Sequence, residues 1–258
     1  MNFTGESIVY YLVKGFGALV RLLPVESALR VGRALGMIAY FFNTKHRRLA
    51  YNNLKIAFAS TKSPKEIKEI TKQVFQNFGQ NFIELLRLPL LTPALFEKYV
   101  TVEGKGHVTE ALQQGQGVIL LAMHYGSWEL ASMLSPSLGH QYKVLVKPQT
   151  KFSKLDELLN TYRQCGGSVV LERGMGTRDF LKSLKENAVI GLVVDQGGRD
   201  GVLVPFFGRQ ASMSVGAVRV GLKLGVPVCF SIIIRENGPH HRLIINKPLT
   251  LEKTGDPD

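Results

Sequence analysis

The chain has 258 residues, enough for one α/β domain and only weakly suggestive of two. Hydrophobic residues make up 45% and charged residues 20%, which excludes a disordered or fibrous chain. The formal charge is +12, so acidic partners such as nucleic acid or an anionic membrane are the classes to separate first.

The basic excess is concentrated at the start. Residues 1–62 hold nine Lys/Arg against two acids, Glu6 and Glu26. The basic residues alternate with two apolar stretches, Ile8–Leu23 and Ala28–Phe42. Lys14 and Arg21 interrupt the first, and Arg30 and Arg33 sit early in the second. Neither gives the roughly 18 uninterrupted apolar residues of a membrane span. Basic helices lying in a membrane interface are therefore expected over residues 1–45, with an ordinary helix pair packed on the body as the alternative. The start, MNFTGES, is uncharged or acidic, and no cleavable signal peptide is expected. Zinc-finger spacing, an aromatic RNP-type strand and a helical G-x-x-G clamp are all missing, so nucleic acid is not expected as a partner. Cys165 and Cys229 lie far apart and form no metal-ligand or disulfide pattern, in keeping with a reduced, cytoplasm-facing body.

Residues 1–60 read as helical. Ser63-Pro64-Lys65-Glu66 is a capping box with proline at the first helical position. Ile67, Ile70, Val74, Phe78, Phe82 and Leu85 then recur at helical spacing, predicting one amphipathic helix that ends near Pro89. Beyond it, strands are expected at 117–123, 143–146, 168–171, 189–194, 226–234 and 242–245. Helices are expected at 154–164, 177–186 and 215–224, with a short one starting near Glu129. Alternating helices and continuously apolar strands imply an α/β fold with a largely parallel central sheet and helices on both faces. In such sheets ligands bind beyond the carboxyl ends of strands.

That rule directs attention to His124-Tyr125-Gly126-Ser127-Trp128-Glu129. A buried strand delivers His124 to its carboxyl end, Gly126 permits a tight turn, and Glu129 enters the next helix. A histidine with a carboxylate five residues on supplies a general base and the group that orients it. The same residues also fit a histidine that satisfies backbone groups and an acid that favours a helix start. No G-x-S-x-G elbow exists, so a serine hydrolase is a poor fit. His240-His241 is an adjacent pair whose side chains would face opposite ways on a strand, so a surface turn is expected there and no metal site.

Two further clusters follow strands. Arg173 and Arg178 flank glycines before a helix and could bind phosphate; two solvated arginines in a turn are the alternative. Asp195 ends another buried strand, on the same rim as His124, and opens the polar loop Asp195-Gln196-Gly197-Gly198-Arg199-Asp200-Gly201. Phe206-Phe207 beside it would present apolar surface suited to a lipid, or else pack in the core.

Taken together, these blocks resemble the lipid A biosynthesis (lauroyl and myristoyl) acyltransferases, within the lysophospholipid and glycerol-phosphate acyltransferase superfamily. His124 to Glu129 is similar to the family's H-[FY]-G-[NS]-W-E block. Asp195-Gln196 with Val204-Pro205-Phe206-Phe207-Gly208 is similar to its D-Q…V-P-F-F-G block. Arg48 through Asn53-Leu54 to Phe58 resembles its R-x-x-x-x-N-L…F-P entry. The resemblance implies a single acyltransferase domain over 1–258: a membrane-associating helical region at 1–45 and a catalytic body at 46–258. It implies acyl transfer from an acyl-carrier-protein or acyl-CoA thioester to a hydroxyl of a lipid A-type glycolipid, at the cytoplasmic face of the inner membrane. A lysophospholipid or other glycolipid acceptor, or a lipid-binding membrane protein without catalysis, are the alternatives. Carried over residue by residue, His124 is the base and Glu129 its partner. Arg163, Arg173, Arg178, Asp195 and Gln196 are expected to bind substrate, with no cofactor or metal. Ala59 stands where such proteins usually have proline, and Ser212 or Ser214 where threonine is common. The end at Asp258 falls short of the family's closing helix and Trp- and Arg-rich segment.

Overall fold

The structure is a computed structural model that describes residues 5–58, 60–172, 177–197 and 201–252. Three helices come first: α1 (Gly5–Leu22), α2 (Val25–Phe42) and α3 (Thr44–Phe58). Helix α4 (Pro64–Arg87) begins at the expected capping box. Ser63 Oγ accepts from the Glu66 amide, and the Glu66 carboxylate accepts from the Ser63 amide at 2.8 Å. A 3-10 turn through Pro89 ends it. Then come α5 (Pro93–Tyr99), β1 (Val100–Glu103), α6 (Lys105–Leu112), β2 (Val118–Ala122), α7 (Leu134–Leu138), β3 (Tyr142–Val146), α8 (Ser153–Gln164) and β4 (Val169–Glu172). The chain continues with α9 (Thr177–Lys185), β5 (Val189–Val193), β6 (Val202–Phe206), β7 (Arg209–Met213), α10 (Gly216–Leu224), β8 (Val228–Asn237) and β9 (His240–Ile245).

Seven strands form one sheet in the order β1-β9-β8-β2-β5-β3-β4, parallel throughout except for the β8–β9 hairpin. The expected largely parallel α/β sheet is therefore present. Strand β2 shows why it needs cover on both faces. Val118 and Leu120 point into one core with Ile83, Leu86, Met133 and Tyr142; Ile119 and Leu121 point into another with Phe180, Leu184 and Val228. Successive strand residues face opposite ways, so a run apolar at every position must be buried twice.

Helix α4 carries the first core. Helix α2 crosses it backbone to backbone: β-carbons at Gly32, Gly36 or Gly79 would collide with the facing main chain. None of the described helices is long and apolar enough to cross a membrane. Yet α1 to α3 leave many large apolar side chains outside, among them Leu12, Leu19, Leu22, Ile38, Phe41, Phe42 and Leu49.

Three differences from expectation have physical causes. Strand β1 and helices α5 and α6 are short, and too few apolar residues repeat in them to set a period. Strands β6 and β7 form a separate antiparallel hairpin just after the expected polar loop, in a stretch where no strand was expected. Its turn residues Phe207 and Gly208 both have positive φ, 48° and 72°, the geometry of a tight two-residue hairpin. His240-His241 is not a surface turn. It opens β9, with His240 exposed and His241 buried against α4.

Candidate active site

Strand register builds the site. Ala122 of β2 pairs with Val193 of β5, and the ladder continues one step further, where the Val194 amide donates to the Ala122 carbonyl at 3.0 Å. Two residues beyond each strand end lie His124 and Asp195, which the register brings side by side. Asp195 Oδ1 sits 2.7 Å from His124 Nδ1, and its Oδ2 accepts from the His124 main-chain amide at 2.9 Å. A carboxylate at Nδ1 holds the proton there and leaves Nε2 as the basic nitrogen. Both side chains are about 30% exposed, open enough to meet a substrate. Trp128 packs its ring edge-on against the imidazole at 4.9 Å, and Phe78 of α4 packs against Trp128.

The turn between His124 and Trp128 is tightly held. Gly126 has φ 57°, and a β-carbon there would collide with the carbonyl of Ile233 in β8, so the turn lies directly on the neighbouring strand. Asn81 of α4 donates to the Gly126 carbonyl. Ser127 is fully buried, and its carbonyl accepts from the Leu130 amide.

The pairing anticipated from spacing, His124 with Glu129, is not the one the structure forms. Glu129 sits in a 3-10 helix (Trp128–Met133) and turns to Arg163 in the last turn of α8. Arg163 Nε and Nη2 donate to its two oxygens at 2.8 and 2.7 Å, and Nη1 donates to Asn160 at 2.6 Å. Both partners are only 13% exposed. Burial works against the guanidinium's charge, but Glu129 more than offsets it and holds the Arg163 pKa up. A fork-to-fork pair of this kind braces the 3-10 helix against α8.

Two other anticipated residues, Gln196 and Arg178, follow strands of the same sheet. Gln196 follows Asp195 and is exposed. Arg178 stands exposed in the first turn of α9, after β4, three strand positions from β2. Arg173 lies outside the described residues. Phe206 and Phe207 are each 54% exposed and meet edge to face, and Phe207 also meets Phe58 of α3. The aromatic pair therefore faces outward rather than into a core.

One group had no signal in the sequence. Arg235 of β8 forks onto Glu84 of α4 at 2.7 and 2.6 Å and donates to Asn81 Oδ1 at 2.8 Å. Beneath it His241 is fully buried, with Nδ1 at 2.9 Å from the Pro239 carbonyl and Nε2 3.5 Å from Glu84. Burial lowers its pKa from the ordinary imidazole value. These residues are far apart in the chain and meet only because α4 crosses the end of β8.

A histidine–carboxylate pair on the carboxyl rim of a mostly parallel α/β sheet is an arrangement able to serve as a general base with its orienting group. The chain belongs to the bacterial lipid A biosynthesis acyltransferase family, whose model matches residues 2–258. Among individual proteins, it is 23% identical over 205 residues to the lipid A biosynthesis lauroyltransferase of Escherichia coli (strain K12), covering 77% of this chain and 64% of that protein. It is 27% identical over 157 residues to the phosphatidylinositol mannoside acyltransferase of Mycobacterium tuberculosis (strain CDC 1551 / Oshkosh), covering 58% and 49%. It is 21% identical over 187 residues to the lipid A biosynthesis palmitoleoyltransferase of E. coli (strain K12), covering 72% and 60%. The chain thus spans between 49% and 64% of the length of these relatives.

Proposed function

We propose that this chain transfers a fatty acyl group from an acyl thioester, carried by acyl-carrier protein or coenzyme A, to a hydroxyl of a glycolipid acceptor of the lipid A type. The observation that carries the reading is the His124–Asp195 contact at 2.7 Å on the sheet rim. With Asp195 on Nδ1, Nε2 of His124 takes the proton from the acceptor hydroxyl. The oxygen attacks the thioester carbonyl, and the tetrahedral intermediate collapses with cleavage of the C–S bond. The thiolate leaves and recovers the proton from His124. Asp195 stabilises the imidazolium between the two transfers. Glu129 supports this chemistry through Arg163 by holding the segment that follows the turn. In our reading Arg178, Arg173 and Gln196 bind a phosphate or polar head group of a substrate.

Membrane association at the cytoplasmic face of the inner membrane belongs to the same proposal. Its support is the exposed apolar surface of α1 to α3 among Lys14, Arg30, Arg33, Lys45, Arg47 and Arg48, in line with helices that lie in an interface. Phe206 and Phe207 extend that surface through Phe58. The likeness to a phosphatidylinositol mannoside acyltransferase favours a mannosylated lipid as a second acceptor class.

The test is acyl transfer from a long-chain thioester to an extracted lipid pool, with products identified by mass. His124→Ala is expected to lower turnover on the order of a hundredfold to ten-thousandfold while the fold persists. Transfer retained in that variant would overturn the mechanism.

A further inference from the structure

The turn that carries His124 and Trp128 is gripped from α4 by a single side-chain amide, and that amide is itself held by a buried ion pair. Asn81 is only 7% exposed. Its Nδ2 donates to the Gly126 carbonyl, and its Oδ1 accepts from Arg235 Nη2 at 2.8 Å. A guanidinium only donates and a carbonyl only accepts, so the amide orientation is set from both sides. No other side chain of this size satisfies both contacts. A carboxylate would still receive Arg235 but would turn a lone pair on the Gly126 carbonyl. A hydroxyl is too short to span the two. Arg235 cannot swing away, because Glu84 holds it with two bonds and both side chains are nearly buried, at 12% and 8% exposed. On the far side the turn rests on Ile233, the residue two before Arg235 in the same strand.

We propose that Asn81 is a positioning residue for acyl transfer, with Arg235 and Glu84 behind it. The three clamp the Gly126 peptide and so set the angle at which His124 meets Asp195 and Trp128. The inference rests on the reading of His124 as the base. It concerns orientation, because Asn81 touches only the main chain of the turn. Catalysis is sensitive to such placement: a shift of about 1 Å in the reacting groups costs on the order of a hundredfold.

The chain's one tryptophan supplies a readout independent of turnover. Trp128 lies edge-on to His124, and indole emission depends on what the ring packs against. His124→Ala gives the emission of Trp128 with that contact gone. The experiment compares wild type, Asn81→Asp, Arg235→Lys and His124→Ala in acyl transfer, in thermal unfolding and in Trp128 emission at one fixed pH. Asn81→Asp keeps the shape and the Arg235 contact but loses the donor. It should lower kcat on the order of tenfold to a hundredfold, with the KM for the thioester unchanged and Trp128 emission moved toward that of His124→Ala at temperatures where the fold is intact. Arg235→Lys keeps the charge opposite Glu84 but gives up the fork, so it should move both readouts in the same direction and decides the matter if Asn81→Asp does not fold. Wild-type kcat in Asn81→Asp, or wild-type Trp128 emission, would overturn the inference alone. Turnover surviving in His124→Ala would remove the reading of the site and this inference with it.

Discussion

Asp195 holds His124 twice, by the ring through Oδ1 and by the main chain through Oδ2. The second contact fixes the backbone at the strand end while the first fixes the tautomer, so one carboxylate sets both the place and the protonation pattern of the proposed base. Asp195→Asn keeps the size and one acceptor, but its amide can present a donor to Nδ1 and favour the other tautomer. Turnover is expected to fall on the order of a hundredfold to ten-thousandfold with little change in melting temperature. An Asp195→Asn protein with near wild-type kcat would assign the partner role elsewhere.

Glu129 and Arg163 form a buried pair, so their replacement should read out first as stability. Arg163→Met leaves the Glu129 carboxylate uncompensated at a buried site and should cost about 3–5 kcal/mol in denaturant unfolding. The double variant Glu129→Leu/Arg163→Met removes both charges and should recover much of that loss. If the double variant is as stable as wild type yet inactive, Glu129 contributes to chemistry as well as to packing.

His241 gives the fold an acid-sensitive point. Burial lowers its folded-state pKa, whereas the unfolded chain titrates near the ordinary value of about 6.5. Below that pH the unfolded state binds the proton more readily, so the stability contribution is present above about 6.5 and is lost as pH falls toward the depressed folded value. The melting temperature should drop between pH 7.5 and 5.5, and His241→Phe should flatten that slope. An equal slope in the variant would place the sensitivity on other groups.

The apolar flank of α2 offers a direct test of membrane contact. Phe42 is 83% exposed and Phe41 60% exposed. Removing a fully buried aromatic side chain from an apolar phase costs about 1.5–3 kcal/mol. Phe42→Ser should therefore weaken binding to anionic vesicles by roughly tenfold or more. Salt should weaken the wild type further through screening of the basic residues. Binding that ignores both changes would move the contact away from α2.

Much of the layout was legible because strong periodic signals coincide with strong physics. The capping box at Ser63 and Glu66 started a helix where expected, and the apolar runs at 117–123 and 189–194 became the two central strands that carry the site. The aromatic pair Phe206-Phe207 was legible only as composition. Its hairpin depends on two consecutive positive-φ residues, one of them a phenylalanine that β-propensity does not mark as a turn former. The Arg235–Glu84–Asn81 group was not legible at all, since its members sit 151 and 154 residues from Arg235 and follow no spacing rule.

The sequence by itself determined that His124 and Asp195 end buried strands, and therefore that both lie on the carboxyl rim of one parallel sheet. Which strands are neighbours was decided only by the tertiary structure, because every apolar strand can pair with every other and the side-chain pattern is the same for all of them. Once β5 takes the place beside β2, the ladder register sets Asp195 against His124, five residues of local spacing lose to one step across the sheet, and Glu129 is left to Arg163.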